Sequence, residues 1–238
     1  MMETIISIKN LAVNFPDKQV FNDINLEINR GDFLCVVGDN GAGKTTFLRT
    51  LLKQLKPNQG KIVNHAQTMG YVPQFRNIDS EYPLSLRNFV ALGLTTSIRP
   101  WLSRLEKHKL TNILAETELT DLANIRLGTA SGGEKQKAYL AQALVNQPEL
   151  LILDESTANL DNVMKYELLD LVAHYRQVHE LTVIFVTHDL PLAKQYGTHY
   201  LLIQNGRGVT GAMANLDTTQ LMASGENQIA CGEEHLNV

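Results

Sequence analysis

The chain has 238 residues, of which 44% are hydrophobic and 19% charged, and its formal net charge is −4. Those values suit a globular protein with a sizeable core, and they argue against a disordered chain or a general nucleic-acid binder. No apolar run nears the ~20 residues needed to cross a bilayer. Met1-Met2-Glu3-Thr4-Ile5-Ile6 lacks the basic start and apolar centre of a secretory signal, so the sequence predicts a cytosolic chain. The two cysteines, Cys35 in an apolar run and Cys231 in a polar tail, cannot form a disulfide framework and read as free thiols.

Apolar alternation at residues 5–8 and 11–13, and again at Ile24, Leu26 and Ile28, predicts an antiparallel edge leading into a buried strand at 33–37. A helix at 47–52 and a turn at Lys56-Pro57-Asn58-Gln59-Gly60 follow. A strand within 69–74 then ends at proline. Between Phe75 and Thr129 the pattern turns helical, at 84–94 and 104–119, and reads as an inserted helical subdomain. A helix at 131–146 stops at Pro148. Apolar strands at 150–153 and 181–186 then flank a helix from about 162 to 178. Two continuous apolar runs separated by a helix predict parallel strands covered on both faces. The expected organisation is one α/β domain over 1–225, with the insertion at about 75–130 and a polar tail at 226–238.

Gly38-Asp39-Asn40-Gly41-Ala42-Gly43-Lys44-Thr45-Thr46 lies between the strand at 33–37 and the helix at 47–52, with the G-x-x-x-x-G-K-[ST] spacing of a phosphate-binding loop. The glycines let successive backbone N–H groups face phosphate oxygens, and the helix start adds the positive end of its dipole. Lys44 is expected on the β- and γ-phosphates and the Thr45 hydroxyl on Mg²⁺. A nucleoside triphosphate is the predicted ligand.

Leu150-Leu151-Ile152-Leu153-Asp154-Glu155 places two carboxylates at the C-terminal end of a buried strand, where α/β folds carry their ligands. Asp154 is expected to hold Mg²⁺ and Glu155 to orient or polarise an attacking water. Acidic residues end many strands, so the pair gains meaning from the loop. His188, after the run at 181–186, reads either as a structural histidine or as a γ-phosphate contact. Ala130-Ser131-Gly132-Gly133-Glu134 opens another helix, either as a plain cap or as a second anion-binding N-terminus.

Together these residues resemble the ATP-binding cassette (ABC) ATPases. The resemblance runs along nearly the whole chain: the phosphate loop, Gln74 after a strand, Ser131-Gly132-Gly133 at the LSGGQ signature, Asp154-Glu155, Ala158-Asn159-Leu160-Asp161 at the D-loop, and His188. It implies a P-loop fold with a RecA-like parallel core, an N-terminal antiparallel β subdomain and the helical insertion. It also implies that Phe15 stacks on adenine, that Gly38, Asn40, Gly41, Ala42, Gly43, Lys44, Thr45 and Thr46 cradle phosphate, and that Thr45, Gln74 and Asp154 serve the Mg²⁺ of MgATP. Glu155, His188 and Gln74 become the catalytic group. Ser131, Gly132 and Gly133 cap ATP held by a second copy in a head-to-tail dimer. Three departures stand out: Ala130 for the usual leucine, Glu134 for the usual glutamine, and Ser156 where proline commonly follows the glutamate.

Residues 71–93, with Tyr71-Val72-Pro73-Gln74 and Tyr82-Pro83-Leu84-Ser85, look most like the ATPase subunits of zinc- and manganese-type importers. Iron-chelate or cobalamin importers and exporters remain alternatives. The implied setting is the cytoplasmic face of the membrane, on a separate permease that docks at residues 75–86 and indirectly serves a solute-binding protein. The seven histidines show no metal-ligand spacing, so the transported metal is expected on the partners. A DNA-repair or ribosomal ABC ATPase lacks support, because neither a coiled-coil insertion nor a second cassette is present. A GTPase or kinase reading leaves Ser131-Gly132-Gly133 unexplained and lacks N-K-x-D.

Overall fold

The computed structural model describes residues 3–16, 18–74, 83–94, 101–158 and 160–216. In chain order the strands and helices are β1 (Thr4–Phe15), β2 (Lys18–Asn29), β3 (Phe33–Val37), α1 (Lys44–Leu51), β4 (Gln59–Asn64), β5 (Met69–Val72), α2 (Leu86–Ala91), α3 (Arg104–Glu116), α4 (Gly132–Leu144), β6 (Leu150–Asp154), α5 (Asn162–His179), β7 (Thr182–Val186), α6 (Leu190–Tyr196), β8 (His199–Gln204) and β9 (Arg207–Ala212). Among the described residues no helix is long and apolar enough to cross a membrane.

The strands form one sheet in the order β4-β1-β2-β9-β8-β3-β7-β6-β5. Strands β8, β3, β7, β6 and β5 run parallel. The β1–β2 hairpin and β4 make the antiparallel wing predicted from the alternating pattern. Strands β3, β6 and β7 are buried on both faces, which explains their unbroken apolar runs. One core lies between the sheet and α4, α5 and α2 and includes Leu151, Leu153, Phe185 and Leu169. The other, with Ile152, Val36, Phe47 and Phe21, joins the opposite face to α1 and the wing. Because parallel strands share a direction, the C-terminal ends of β3, β7, β6 and β5 meet along one edge.

Several boundaries differ from the sequence reading for local reasons. The segments at 5–8 and 11–13 are one strand, β1, whose register shifts at Ile8/Leu11 and Leu11/Val13 absorb the break in alternation. Strand β4 starts at Gln59, inside the expected turn. Strand β5 stops at Val72, before Pro73, which has no N–H to give to a ladder. The β8–β9 hairpin is absent from the sequence reading, although Asn205-Gly206, at φ 50° and 73°, is a strong two-residue hairpin signal. The docking segment at 75–82, Asn159, Cys231 and the tail at 226–238 lie outside the described residues; Cys35 is a buried free thiol.

Candidate nucleotide site

The loop after β3 leads straight into α1. Its N-cap, Gly43, has φ 111° and supplies no side-chain cap, and the first turn holds no acidic residue. The first amides and the positive dipole end of α1 are therefore not taken by a side chain of the cap or first turn. Gly43 also has no room for a side chain, since a Cβ there would lie 2.6 Å from Val20 Cγ1 of β2. A Cβ on Gly38 would strike the Ile203 carbonyl of β8. Gly41 is exposed and open, and Asn40 and Thr45 are exposed while Ala42 and Thr46 are half-buried.

Lys44 is buried, with Nζ donating to the Gly38 carbonyl at 2.8 Å and the Asp39 carbonyl at 3.0 Å. Glu155 Oε1 is 3.8 Å from the same nitrogen. Burial pushes the Lys44 ammonium below the usual lysine range, while Glu155, Asp39 and Asp154 oppose the shift. An ammonium at the mouth of a glycine loop, poorly solvated and ringed by acceptors, is chemically suited to receive a phosphate oxygen.

Asp154 ends β6, and Glu155 follows in the left-handed backbone region at φ 43°. This uncommon conformation for a non-glycine residue is held from both sides, by Glu155 N–H on the Val186 carbonyl at 3.1 Å and Ala158 N–H on the Glu155 carbonyl at 3.0 Å. The turn aims the carboxylate back at the site. Gln74 Nε2 donates to Glu155 Oε2 at 3.2 Å, so the ends of β5 and β6 meet through side chains. Tyr71, which the sequence reading gave no role, donates its hydroxyl to Asp154 Oδ2 at 3.1 Å. Burial raises the Asp154 carboxyl above the usual carboxylate range, the Tyr71 bond pulls it back, the Glu155 charge adds to the rise and Lys44 opposes it.

Two expected site residues sit at the margin of this cluster. His188 is exposed just after β7, between the ends of β3 and β6; its neighbour Thr187 donates its N–H to the Val36 carbonyl at 3.1 Å. Phe15 is 47% exposed at the β1–β2 turn, whose following residues Val20 and Phe21 pack on Gly43. A large exposed ring beside a phosphate loop is available for stacking on a base.

Ser131 caps α4 through a reciprocal box: Ser131 Oγ accepts from Glu134 N–H at 3.3 Å and Glu134 Oε2 accepts from Ser131 N–H at 2.7 Å. Glu134, a departure from the usual signature, therefore keeps the helix start in order. Gly132 is open, whereas Gly133 lies so close to Met164 of α5 that any Cβ would overlap it. No hydrogen bond or ion pair joins Ser131, Gly132 or Gly133 to the Lys44–Gln74–Glu155 group among the described residues. Ser156, another departure, is buried with its hydroxyl unpartnered among the described residues.

Residues 21–158 match the ABC transporter family. The zinc import ATP-binding protein ZnuC of Photorhabdus laumondii is 38% identical over 192 residues, covering 80% of this chain and 71% of the relative. The zinc uptake system ATP-binding protein ZurA of Listeria innocua is 32% identical over 214 residues, covering 85% and 83%. Among solved structures, a chain of an inward-facing transporter described as of metal-chelate type superposes with a TM-score of 0.84 at 30% identity, covering 93% of this chain and 88% of that one. With its P-loop fold and its lysine, glutamine and paired carboxylates on one sheet edge, this chain is an ATP hydrolase, and it belongs to the ABC transporter family.

Proposed function

We propose that this chain energises the import of a divalent transition metal, zinc or manganese, by hydrolysing ATP against a separate membrane permease. What carries the reading is the convergence of Lys44, Gln74, Asp154 and Glu155 at one sheet edge, in a chain 38% identical to a zinc import ATP-binding protein. Phe15 stacks on adenine. Gly38, Asn40, Gly41, Ala42, Gly43, Lys44 and Thr46 hold the phosphates. Glu155 orients or deprotonates the attacking water, with Gln74 fixing its carboxylate and His188 reaching the γ-phosphate.

The Thr45 hydroxyl in the first turn of α1, the Gln74 amide oxygen beyond β5 and the Asp154 carboxylate at the end of β6 form a hard-ligand set that fits Mg²⁺. When bound with ATP, Mg²⁺ neutralises phosphate charge. Gln74 Nε2 is committed to Glu155, which leaves its amide oxygen to face that ion. Transported metal is a separate matter: among the described residues no cluster of three or more His, Cys, Asp or Glu could hold one.

Ser131, Gly132 and Gly133 act on ATP held by a second copy, in a head-to-tail dimer. The exposed Ser131 and the open space at Gly132 leave the start of α4 accessible to a second copy, which supports that assignment. One ATPase domain spans residues 1–225, with the helical subdomain at about 75–130. The permease seats on the groove beside edge strand β5, about 720 Å³ in volume, whose rim carries the exposed Met69, Tyr71 and Leu92 together with Lys109. Exposed apolar side chains beside a basic residue suit a short amphipathic segment of a membrane protein. The assembly lies on the cytoplasmic face of the membrane, is fed indirectly by a solute-binding protein and has no nucleic-acid partner.

A chelated metal is the second reading, favoured by the 30% identity to the chain from the metal-chelate type transporter. Cells lacking the chain decide between them. The reading expects them to accumulate less zinc or manganese, to fail under chelator stress and to recover on addition of that metal. Normal zinc and manganese uptake with impaired uptake of an iron chelate or cobalamin supports the second reading instead.

A further inference from the structure

We propose that Tyr71 is a positioning residue for the nucleotide-bound divalent ion: its hydroxyl fixes the Asp154 carboxylate so that one oxygen stays turned to the metal. The inference rests on the reading of Asp154 as the metal-side carboxylate. Tyr71 pairs with Ile152 in the parallel β5–β6 ladder, and Val72 with Leu153. Side chains alternate along a strand, so Tyr71, Ile152 and Asp154 stand on the same face of the sheet. Ile152 packs in the core that α1 covers, which makes this the face of the phosphate-loop helix. From there the Tyr71 hydroxyl reaches along β6 to Asp154 Oδ2 at 3.1 Å.

The bond has a chemical consequence for a metal-side carboxylate. A phenol is a donor of suitable length and direction to occupy one oxygen, here Oδ2, and so it limits rotation of the carboxylate about its last bond. Oδ1 is then the oxygen left for the metal or its water shell. Tyr71 is 41% exposed on a four-residue edge strand, so its ring contributes little to the core and its hydroxyl can be removed without opening a cavity.

The test uses the full chain with saturating ATP and Mn²⁺ as the paramagnetic probe, free and bound ion being separated by electron paramagnetic resonance. Tyr71→Phe is expected to weaken Mn²⁺ binding roughly tenfold, the scale on which partners of metal ligands act. Binding of metal-free ATP and the thermal midpoint should stay at wild-type values, a split that a general structural defect does not produce. Tyr71→Leu should lose the same amount, since the hydroxyl and not the ring is responsible. Wild-type Mn²⁺ affinity in Tyr71→Phe, with clear weakening in Asp154→Asn, overturns the proposal alone. Wild-type Mn²⁺ affinity in Asp154→Asn overturns it together with the metal-side reading of Asp154.

Discussion

Gln74 Nε2 donates to Glu155 Oε2 at 3.2 Å, while Lys44 lies 3.8 Å from the other oxygen of the same carboxylate. The Glu155 side chain is therefore held from two sides, by a neutral donor two residues past the end of β5 and by the cation at the end of the phosphate loop. Removing Gln74 leaves the cation as the only holder in this pair and lets the carboxylate swing toward it. Gln74→Ala is expected to lower ATP turnover by about 10- to 100-fold, the scale of a misplaced reacting group, and to leave metal-free ATP binding intact. Steady-state hydrolysis and equilibrium nucleotide binding check this, and full turnover in the variant would count against Gln74 as the orienting residue.

The Ser131–Glu134 box separates two roles of one side chain. Glutamine serves a capping box as well as glutamate does, so Glu134→Gln should leave the thermal midpoint unchanged. It removes a negative charge from the helix start that, in the proposed dimer, faces phosphate. ATP-dependent dimerisation should tighten by roughly 2 kcal/mol, about thirtyfold in dissociation constant, since one screened charge pair of ~1 kcal/mol is relieved at each of the two sites of the dimer. Sedimentation at graded protein concentration measures it; weaker dimerisation in Glu134→Gln contradicts the placement of that charge opposite phosphate.

Ser156 offers a stability test independent of nucleotide. Its hydroxyl is buried without a partner among the described residues, and such an orphan costs roughly 1–3 kcal/mol. Ser156→Ala removes the oxygen without adding bulk. The thermal midpoint should rise by about 2–4 °C, the shift that ~1 kcal/mol produces in a chain of this size. A fall in midpoint shows that the hydroxyl is bonded in solution.

The parts of the candidate site that are contiguous in the chain are legible in the sequence. Gly38 to Thr46, Ser131 to Gly133 and Asp154-Glu155 are local patterns whose chemistry follows from their own residue types and flanks. Contacts created by the sheet were not legible. The Tyr71–Asp154 bond depends on which residue of β5 stands beside Ile152 of β6, a register that no single-chain pattern specifies. The tight fit of Gly38 depends on the Ile203 carbonyl of β8, a strand whose local mark in the sequence is the apolar run Tyr200-Leu201-Leu202-Ile203 before Asn205-Gly206. The left-handed turn at Glu155 likewise comes from its bonds to Val186 and Ala158 rather than from its own preference.

The most direct test of the account is Glu155→Gln with MgATP. Glutamine keeps the size of the side chain and can no longer accept a proton from water, while Lys44 and the loop amides still hold phosphate. Turnover should fall ~10²-fold or more while ATP stays bound, and the chain should accumulate as an ATP-locked dimer in sedimentation or light scattering. Lys44→Ala, which loses the phosphate contact itself, should remain monomeric under the same conditions. Wild-type turnover in Glu155→Gln, or an ATP-loaded variant that stays monomeric, contradicts the account.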